Sequence, residues 1–378
     1  IPTVSNADPD KMDVDAFLKL HAYLEEAYPL VHQKMTREVI GRAGLLYTWK
    51  GNGKSSHLPL MMTAHLDVVP EGDWSMWKYP PFSGEVAEGF IWGRGATDSK
   101  CNIQAYMDAL ELLIAEGFEP EYDLYFGFGY NEEIMGGPEP AAQLIADTLR
   151  ERNVKLGCLI DECGGIQKTA DGDQYGTIYI CEKGYADFEF SKTDNGGHSA
   201  VPDKHSALGR VCEAACILEA NPMKPVLTEA AVKQMEATAP FIKDEHLAEL
   251  CRDVRKNWDE LCSLMAENPA YNAMIRTTTA VTMAGGSAQA NVMPERAWIV
   301  ANNRLLPGQT LDDLWAHYKE ILPEDIDIRL VKGSNPPAVQ STDTYAYKLI
   351  SSIVEDKYPG LTLIPSMLCG GTDSRYYC

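Results

Sequence analysis

The sequence lacks an excess of basic residues. It contains 33 lysines and arginines against 55 aspartates and glutamates, for a formal net charge of -22. Nucleic acids and anionic membrane surfaces are bound through basic patches, so this balance argues against both as partners. No run approaches the roughly 20 apolar residues that a membrane-spanning helix needs, and no signal peptide is visible in the chain as given. We therefore expect a cytoplasmic protein with no nucleic-acid or membrane partner.

The sequence also lacks cysteine pairs at the spacing of a structural zinc site, internal repeats and low-complexity segments. Its ten scattered cysteines predict free thiols, mostly buried, in a reducing compartment. The rest of the composition, with 45% hydrophobic and 23% charged residues, is ordinary for a globular enzyme. A length of 378 residues exceeds what one compact core usually holds, so we expect two domains.

A short apolar run that is bounded by Pro59 and Pro70 has the pattern of a buried strand. Side chains alternate along a strand, so His65 and Asp67 are predicted to share one face. An imidazole and a carboxylate on one face are typical of the edge of a metal site. Taken alone, the segment fits equally well a half-buried histidine that is hydrogen-bonded to its neighbour.

Two further apolar strands run into pairs of acidic residues. The strand at 123–130 is followed by Glu132 and Glu133, and the strand at 156–160 by Asp161 and Glu162. Adjacent acids at the end of a buried strand are costly unless a cation offsets them. Successive side chains point in different directions, so one glutamate can bind metal while the other acts as a general base. Taken alone, each pair could also consist of solvated charges at the end of a strand. However, both pairs are predicted at the carboxyl ends of their strands, and this is the edge at which ligands bind in open α/β sheets.

Two glycine-rich segments carry further polar side chains. Asp98 follows the segment 92–97 and precedes a helix predicted over 100–116, where it either caps the helix or bridges two cations. His198 lies in a glycine-flanked loop, and glycines let a backbone approach a ligand closely. Between them, the residues 70–93 are predicted to form a long loop that packs on its own domain or walls a pocket.

Together these residues belong to motifs whose order resembles a known family. The resemblance is to the co-catalytic zinc metallopeptidases of the aminoacylase, carboxypeptidase S and acetylornithine deacetylase / succinyl-diaminopimelate desuccinylase family. It covers essentially the whole chain and is strongest for the branch of carboxypeptidase S and N-acyl-amino-acid hydrolases. The motifs are His-Leu-Asp-Val-Val-Pro (65–70), Gly-Arg-Gly-Ala-Thr-Asp-Ser-Lys (93–100), Asn-Glu-Glu-Ile-Met-Gly-Gly (131–137), Gly-Gly-His-Ser-Ala-Val-Pro (196–202), Asn-Asn-Arg-Leu-Leu-Pro-Gly (302–308) and Gly-Gly-Thr-Asp-Ser-Arg (370–375).

The resemblance implies a centre of two zinc ions, with cobalt or manganese as substitutes. His65 and Asp161 would each bind a zinc ion, Asp98 would bridge the two, and Glu133 would complete the ligands of one of them. Such a pair of cations polarises the scissile carbonyl and lowers the pKa of a shared water. The resemblance further implies a cis peptide bond between Asp98 and Ser99.

The resemblance also implies the residues that act on the substrate. Glu132 would be the general base, and Asp67 would orient His65. His198 would stabilise the tetrahedral oxyanion, in family dimers at the partner subunit's site. Arg304 would clamp the free carboxylate of the substrate by a bidentate contact, and Asn291 would help to bind the substrate.

The fold class implied by the resemblance is α/β. A catalytic domain of residues 1–188 and 305–378 would be built on a central mixed sheet flanked by helices. An inserted α+β lid or dimerisation domain, 189–304, would form the contact of a homodimer. In this branch the last zinc ligand is a histidine well downstream of Gly-Thr-Asp-Ser-Arg, and no such histidine occurs before Cys378. We expect the corresponding segment to be missing from the chain as given.

The sequence thus predicts a zinc-dependent amidohydrolase that releases a free amino acid from a small peptide or an N-acyl amino acid. It would act as a carboxypeptidase, a dipeptidase or an aminoacylase. One alternative is a catalytically impaired relative that binds metal or ligand; the missing histidine favours it and the presence of Glu132 opposes it. The other alternative is a biosynthetic N-deacylase acting on acetylornithine or succinyl-diaminopimelate.

Overall fold

A computed structural model describes residues 1–134, 137–169 and 172–377. The chain divides into two compact units. The first contains Ile1–Cys163 together with the segment from Thr372 onward, and the second is Gly164–Gly371. These bounds differ from those of the expected catalytic and inserted domains (1–188 with 305–378, and 189–304), which stay a prediction. In the described part of the chain, no helix has both the length and the apolar character to cross a bilayer.

The first unit is a sheet covered by helices on both faces. Its elements are α1 (Val14–Ala27), α2 (Pro29–Lys34), β1 (Thr36–Ile40), β2 (Gly44–Trp49), β3 (Leu60–His65), β4 (Glu85–Ala87), β5 (Phe90–Trp92), α3 (Lys100–Ala115), β6 (Leu124–Gly129), α4 (Ala141–Glu151), β7 (Cys158–Ile160) and a 3-10 helix at Asp373–Tyr376.

The order of the central sheet is β1-β2-β6-β3-β7. The strands β6, β3 and β7 are parallel, whereas β1 and β2 run antiparallel to their neighbours. His65 lies opposite Gly129, and Met62 lies opposite Ile160. The carboxyl ends of the three parallel strands therefore share one edge of the sheet, which confirms the convergence inferred from the sequence.

The two faces of β6 explain how helices come to lie on both sides. Phe126 and Phe128 belong to the core that α1, α2 and α3 contribute to, while Tyr125 packs on the opposite face against residues of α4. On that second face, a side chain at Gly129 would meet Asp373 Oδ2 at 2.9 Å. The missing side chain of Gly129 therefore leaves the space in which the 3-10 segment lies.

One local prediction for the first unit is wrong, and one of two open alternatives is excluded. The segment 70–93 contains the hairpin β4–β5, which escaped prediction because its strands are short and mostly exposed. Helix α3 begins at Lys100, and its N-cap is Ser99 rather than Asp98. Asp98 therefore does not cap this helix, and its carboxylate is available for another role.

Among the described residues, the second unit contains three separate sheets and all the α-helices that follow α4. Its elements are β8 (Gly165–Lys168), β9 (Gln174–Glu182), β10 (Gly184–Thr193), β11 (Gly197–His198), α5 (Ala207–Ala220), α6 (Glu229–Thr238), α7 (Glu245–Cys251), α8 (Trp258–Ala266), α9 (Pro269–Ile275), β12 (Thr278–Gly285), β13 (Val292–Met293), β14 (Arg296–Leu305), α10 (Leu311–Ile321), β15 (Asp327–Ser334), α11 (Tyr345–Lys357) and β16 (Thr362–Leu368).

The antiparallel sheet β12-β14-β10-β15 has one apolar and one polar face. Along β10, Ala186, Phe188 and Phe190 share a core with residues of α5 and α10. Because side chains alternate along a strand, Tyr185 and Asp187 lie on the opposite face. The parallel pair β16 and β9 forms a second sheet with β8.

The nine described cysteines form no disulfide. The prediction that the thiols are mostly buried is wrong, since only Cys181 and Cys251 among these nine are buried. Cys212 and Cys216 show the reason. They share the outer face of α5, whereas Val211 and Ala214 face the core.

Candidate metal centre and substrate residues

The centre begins with His65 at the end of β3. Its buried ring places Nδ1 at 3.0 Å from the carbonyl oxygen of Asp67 and at 3.4 Å from Asp67 Oδ1. A carbonyl oxygen can only accept, so Nδ1 carries a proton. In the neutral ring, Nε2 then presents its lone pair to Asp98 Oδ1 at 2.9 Å and to Glu162 Oε2 at 3.2 Å.

A lone pair that faces two carboxylates is repelled unless a cation lies between them. A proton on Nε2 is one solution: burial lowers the pKa of His65, but the hydrogen bonds with Asp67, Asp98 and Glu162 outweigh burial and raise it. A metal ion is the other solution, since imidazole nitrogen and carboxylate oxygen are the donors that zinc accepts. The donor set around Nε2 therefore fits a divalent cation.

Among the described residues, two groups of side chains can hold a metal ion. One consists of His65, Asp98 and Glu133, and the other of His65, Glu132 and Glu162, with the donor atoms of each group within 4.8 Å of one another. Three of the four predicted zinc ligands, His65, Asp98 and Glu133, are thus brought together. His65 is the last residue of β3, the glutamates follow the carboxyl ends of β6 and β7, and Asp98 precedes α3.

Asp161, the fourth predicted ligand, belongs to neither group. Its Oδ1 accepts a hydrogen bond from the backbone N–H of Glu162 at 2.8 Å. Glu162 is a member of one of the two groups, and no role had been predicted for it from the sequence. The sequence signal was limited to position, because both acids directly follow β7.

Asp67 connects two of the loops at the centre. Its fully buried carboxylate accepts hydrogen bonds from the backbone N–H groups of Glu132, at 3.1 Å, and Glu133, at 3.2 Å. Near it, Ser99 Oγ accepts a hydrogen bond from the backbone N–H of His65 at 3.0 Å. The peptide bond between Asp98 and Ser99 is cis, as the resemblance implied.

Two acids of the centre, Glu132 and Glu133, hold their protons more strongly than usual, whereas the hydrogen bond with His65 lowers the pKa of Asp98. Burial raises the pKa of Glu132 to about 9, and the negative charges of Asp373 and Glu162 add to this shift. Burial, followed by the charge of Asp98, also raises the pKa of Glu133. Raised pKa values in a group of converging carboxylates mean that the group lacks positive charge, which a metal ion supplies.

Two residues near Glu132 escaped assignment from the sequence. Arg375 Nη2 lies 4.0 Å from Glu132 Oε1. Asp373 is buried beside the end of β6, and burial raises its pKa well above the usual value. Both residues belong to the motif at 370–375, which carried the resemblance but suggested no role for them.

The second unit contains the three predicted substrate residues. His198 and Asn291 line one cavity of about 580 Å³. His198 lies opposite Val292 in the β11–β13 pair, and the Ser199 N–H donates to the Asn291 carbonyl oxygen at 3.2 Å. The backbone N–H of Ala200 donates to His198 Nδ1 at 3.1 Å, so the proton of the neutral ring is on Nε2.

Arg304 lies on β14, opposite Tyr185 of β10. Its guanidinium carbon is 4.9 Å from the centroid of the Tyr185 ring. Arg304 is not among the described residues that line the cavity of His198 and Asn291. The substrate residues belong to the second unit and the candidate metal ligands to the first.

Comparison with known protein families matches residues 61–378 to the model described as Peptidase family M20/M25/M40. The chain belongs to this family. The match includes every residue of the candidate centre. Membership of the M20 family makes the protein a metal-dependent hydrolase and confirms the resemblance found in the sequence.

Curated relatives of this M20 family member extend over its full length. It is 32% identical to the zebrafish (Danio rerio) protein named N-fatty-acyl-amino acid synthase/hydrolase PM20D1.1, over 100% of this chain and 74% of that protein. It is 30% identical to carboxypeptidase S of Saccharomyces cerevisiae, over 100% of this chain and 74% of that protein. Both names belong to the branch expected from the sequence.

Solved structures support the fold of this M20 family member. The M20 family metallo-carboxypeptidase Sso-CP2 from Sulfolobus solfataricus gives a TM-score of 0.65 at 19% identity, covering 100% of this chain and 85% of that one. The dipeptidase Dug1p from Saccharomyces cerevisiae gives 0.64 at 16% identity, covering 100% and 84%. These similarities, with the mixed sheet between helices, confirm the predicted α/β class.

Proposed function

We propose that this M20 family member is a zinc-dependent hydrolase of amide bonds in small peptides or N-acyl amino acids, releasing a free amino acid. The observation that carries the zinc dependence is the lone pair of His65 Nε2 facing the carboxylates of Asp98 and Glu162. The substrate class is supported by the relatives named carboxypeptidase S and N-fatty-acyl-amino acid synthase/hydrolase.

In this proposal His65, Asp98 and Glu133 hold two zinc ions together with Asp161 or Glu162. Bound zinc would polarise the scissile carbonyl and acidify water at the centre. The residues of the chain then have separate tasks. Asp67 fixes the turn that presents Glu132 and Glu133, because it binds both of their backbone N–H groups.

Glu132 is the proposed general base. It takes the proton of the attacking water on its carboxylate and returns it to the nitrogen of the leaving amine. A base must hold the proton between these two steps, and the raised pKa of Glu132 favours this. The neighbouring Arg375 keeps the deprotonated form accessible, since a positive charge at 4.0 Å stabilises the carboxylate.

The substrate residues complete the proposed mechanism. His198 would donate its Nε2 proton to the developing oxyanion, because Nδ1 is already occupied by the Ala200 N–H. Arg304 would bind the free carboxylate, and Asn291 would contact the substrate in the cavity that it shares with His198. We further propose the cytoplasmic location and the homodimer through residues 189–304 that the sequence suggested.

The test is a substrate panel on the zinc-loaded protein and its Glu132→Gln variant. The panel contains N-acyl amino acids, dipeptides, acetylornithine and succinyl-diaminopimelate, and the assay detects the free amino group released. We expect about two zinc ions per chain, by elemental analysis after dialysis, and turnover of N-acyl amino acids or dipeptides. Glu132→Gln should bind the same zinc and lose at least about 100-fold in turnover, because proton transfer is removed.

Glu320→Gln is the matched control, since this glutamate is exposed on α10. It should retain full turnover. Turnover by Glu132→Gln within tenfold of the parent protein would exclude Glu132 as the base. Zinc binding without hydrolysis of any substrate would support the impaired relative, and a preference for acetylornithine or succinyl-diaminopimelate would support the biosynthetic deacylase.

A further inference from the structure

We infer that Tyr185 is a positioning residue for Arg304, and that its ring holds the guanidinium in the orientation that binds a substrate carboxylate. This inference rests on the carboxylate clamp of the proposed function. It adds a specificity determinant in the strand next to the clamp, at a residue for which the sequence suggested no role.

The first observation is the register of the sheet. Tyr185 of β10 lies directly opposite Arg304 of β14, so their side chains are on the same face. The guanidinium carbon lies 4.9 Å from the centroid of the ring, which is within the range of a cation–π contact. An arginine side chain has several rotatable bonds, and this contact restricts the positions that its planar head can adopt.

The second observation is that the ring itself is held in place. Tyr185 Oη donates a hydrogen bond to Asp187 Oδ2 at 2.8 Å. The other carboxylate oxygen, Asp187 Oδ1, accepts a hydrogen bond from Asn302 Nδ2 at 2.8 Å. Asp187 and Asn302 are also opposite each other in the β10–β14 register. The strand that carries Arg304 thus contributes a second contact to the same network.

A further contact of Asp187 comes from β15. Lys332 Nζ lies 3.7 Å from Asp187 Oδ2 and 5.2 Å from the centroid of the Tyr185 ring. Burial raises the pKa of Tyr185 to about 12, and the hydrogen bond to Asp187 adds to this effect, so the phenol remains a donor at neutral pH. Three strands therefore fix the ring against which Arg304 lies.

The functional consequence follows from the entropy of binding. A flexible arginine loses rotamer freedom when it binds a carboxylate, and this loss weakens the binding. Contact with a fixed ring removes part of that freedom before the substrate arrives. Loss of the ring should therefore weaken the binding of substrates with a free carboxylate and leave the chemical step unchanged.

The experiment compares Tyr185→Leu, which removes the ring, with Tyr185→Phe, which keeps the ring and removes the hydroxyl. The control is Tyr358→Leu, at an exposed tyrosine outside the site. Each variant is assayed with the best N-acyl amino acid of the panel and with its carboxamide, which has no carboxylate. Binding of both compounds is also measured by calorimetry in a zinc-loaded Glu132→Gln background, so that the result does not depend on turnover.

For Tyr185→Leu we expect KM and Kd for the acid to rise about tenfold, with kcat within about twofold of the parent. Values for the carboxamide should not change. For Tyr185→Phe, KM and Kd for the acid should rise less than for Tyr185→Leu. For Tyr358→Leu, both values should equal those of the parent protein. Thermal unfolding of each variant establishes that it is folded at the assay temperature.

Two results would overturn the inference while leaving the proposed function intact. One is an Arg304→Ala variant that loses affinity for the acid while Tyr185→Leu does not. The other is a Tyr185→Leu variant that weakens the acid and the carboxamide equally, or lowers kcat alone, as a merely structural role would. A parent protein that binds acid and carboxamide equally, with no effect of Arg304→Ala, would instead exclude the clamp itself.

Discussion

The buried carboxylate of Asp67 accepts a hydrogen bond from the backbone N–H of Glu132 at 3.1 Å. Its second oxygen binds the N–H of Glu133 at 3.2 Å, and its own backbone carbonyl binds His65. One residue thus joins the end of β3 to the turn after β6. In the proposed mechanism this residue aligns the general base with two metal ligands.

We predict that Asp67→Asn weakens zinc binding about 10- to 100-fold and lowers turnover, although the side chain keeps its size. An amide has only one oxygen that accepts, so the N–H of Glu132 or Glu133 would face an NH₂ group. Zinc affinity is measured by titration against a chromogenic chelator. Asp123→Asn is the matched control, since Asp123 also accepts a backbone N–H, from Gly51 at 2.9 Å, in the same unit. Equal zinc loss in both variants would contradict a specific role for Asp67.

Arg375 is predicted to set the pH at which Glu132 acts. A positive charge 4.0 Å away favours the carboxylate, so Arg375→Gln should raise the pKa of Glu132. The acid limb of the kcat/KM profile should then move to higher pH, because a group with a higher pKa loses its proton only at a higher pH. Arg375→Lys keeps the charge and should move the limb less. A uniform drop in rate with an unchanged profile would mean that Arg375 acts only through the fold.

Removal of metal is predicted to destabilise the protein reversibly. Burial raises the pKa values of Glu132, Glu133 and Asp373, so bound cations should stabilise the folded chain by offsetting their negative charge. A free zinc concentration of about 100 times the Kd adds about 2.7 kcal/mol to the free energy of unfolding. We expect the thermal midpoint to fall after treatment with a chelator and to return when zinc is added. An identical midpoint with and without zinc would contradict a metal centre in the first unit.

Thiol reactivity is predicted to separate buried from exposed cysteines and to depend on pH. Burial raises the pKa of Cys181 to about 12 and that of Cys251 to about 11. Only the thiolate reacts with iodoacetamide, so both should resist labelling at pH 8, and their rates should rise about tenfold per pH unit below these values. The exposed Cys212 and Cys216 should be labelled first.

Mass spectrometry of the labelled peptides measures each site, and labelling in denaturant supplies the control in which all thiols react. If Cys181 in the native protein were labelled as fast as Cys212, the burial of Cys181 would be contradicted. Cys212 and Cys216 also provide an internal reference for the reagent in each reaction.

The sequence allowed prediction of those parts of the centre that local patterns determine. Strands of the central sheet appear as short apolar runs, so the buried β3 and β6, the half-buried β7 and the acids that follow them could be recognised. The choice between Asp161 and Glu162 could not be made, because Asp161 lies just beyond the last residue of β7, where the alternation of a strand no longer applies. The resemblance supplied the assignment of Asp98 and the cis bond, which no local pattern requires.

Long-range packing could not be predicted in the same way. Asp373 and Arg375 approach Glu132 because β6 has a glycine where another side chain would collide with Asp373. Nothing in the segment 370–375 indicates which strand it contacts.

The contact between Gly129 and Asp373 also has a consequence for synthesis of the protein. The ribosome makes Ile1–Cys163 first and adds Thr372 and the residues after it only when all of Gly164–Gly371 has been made. Until then, the groove at Gly129 has no partner, and Glu132 has neither Asp373 nor Arg375 beside it. A nascent chain therefore presents an unfinished first unit until Thr372 and the residues after it have been made, and only then is the environment of Glu132 completed.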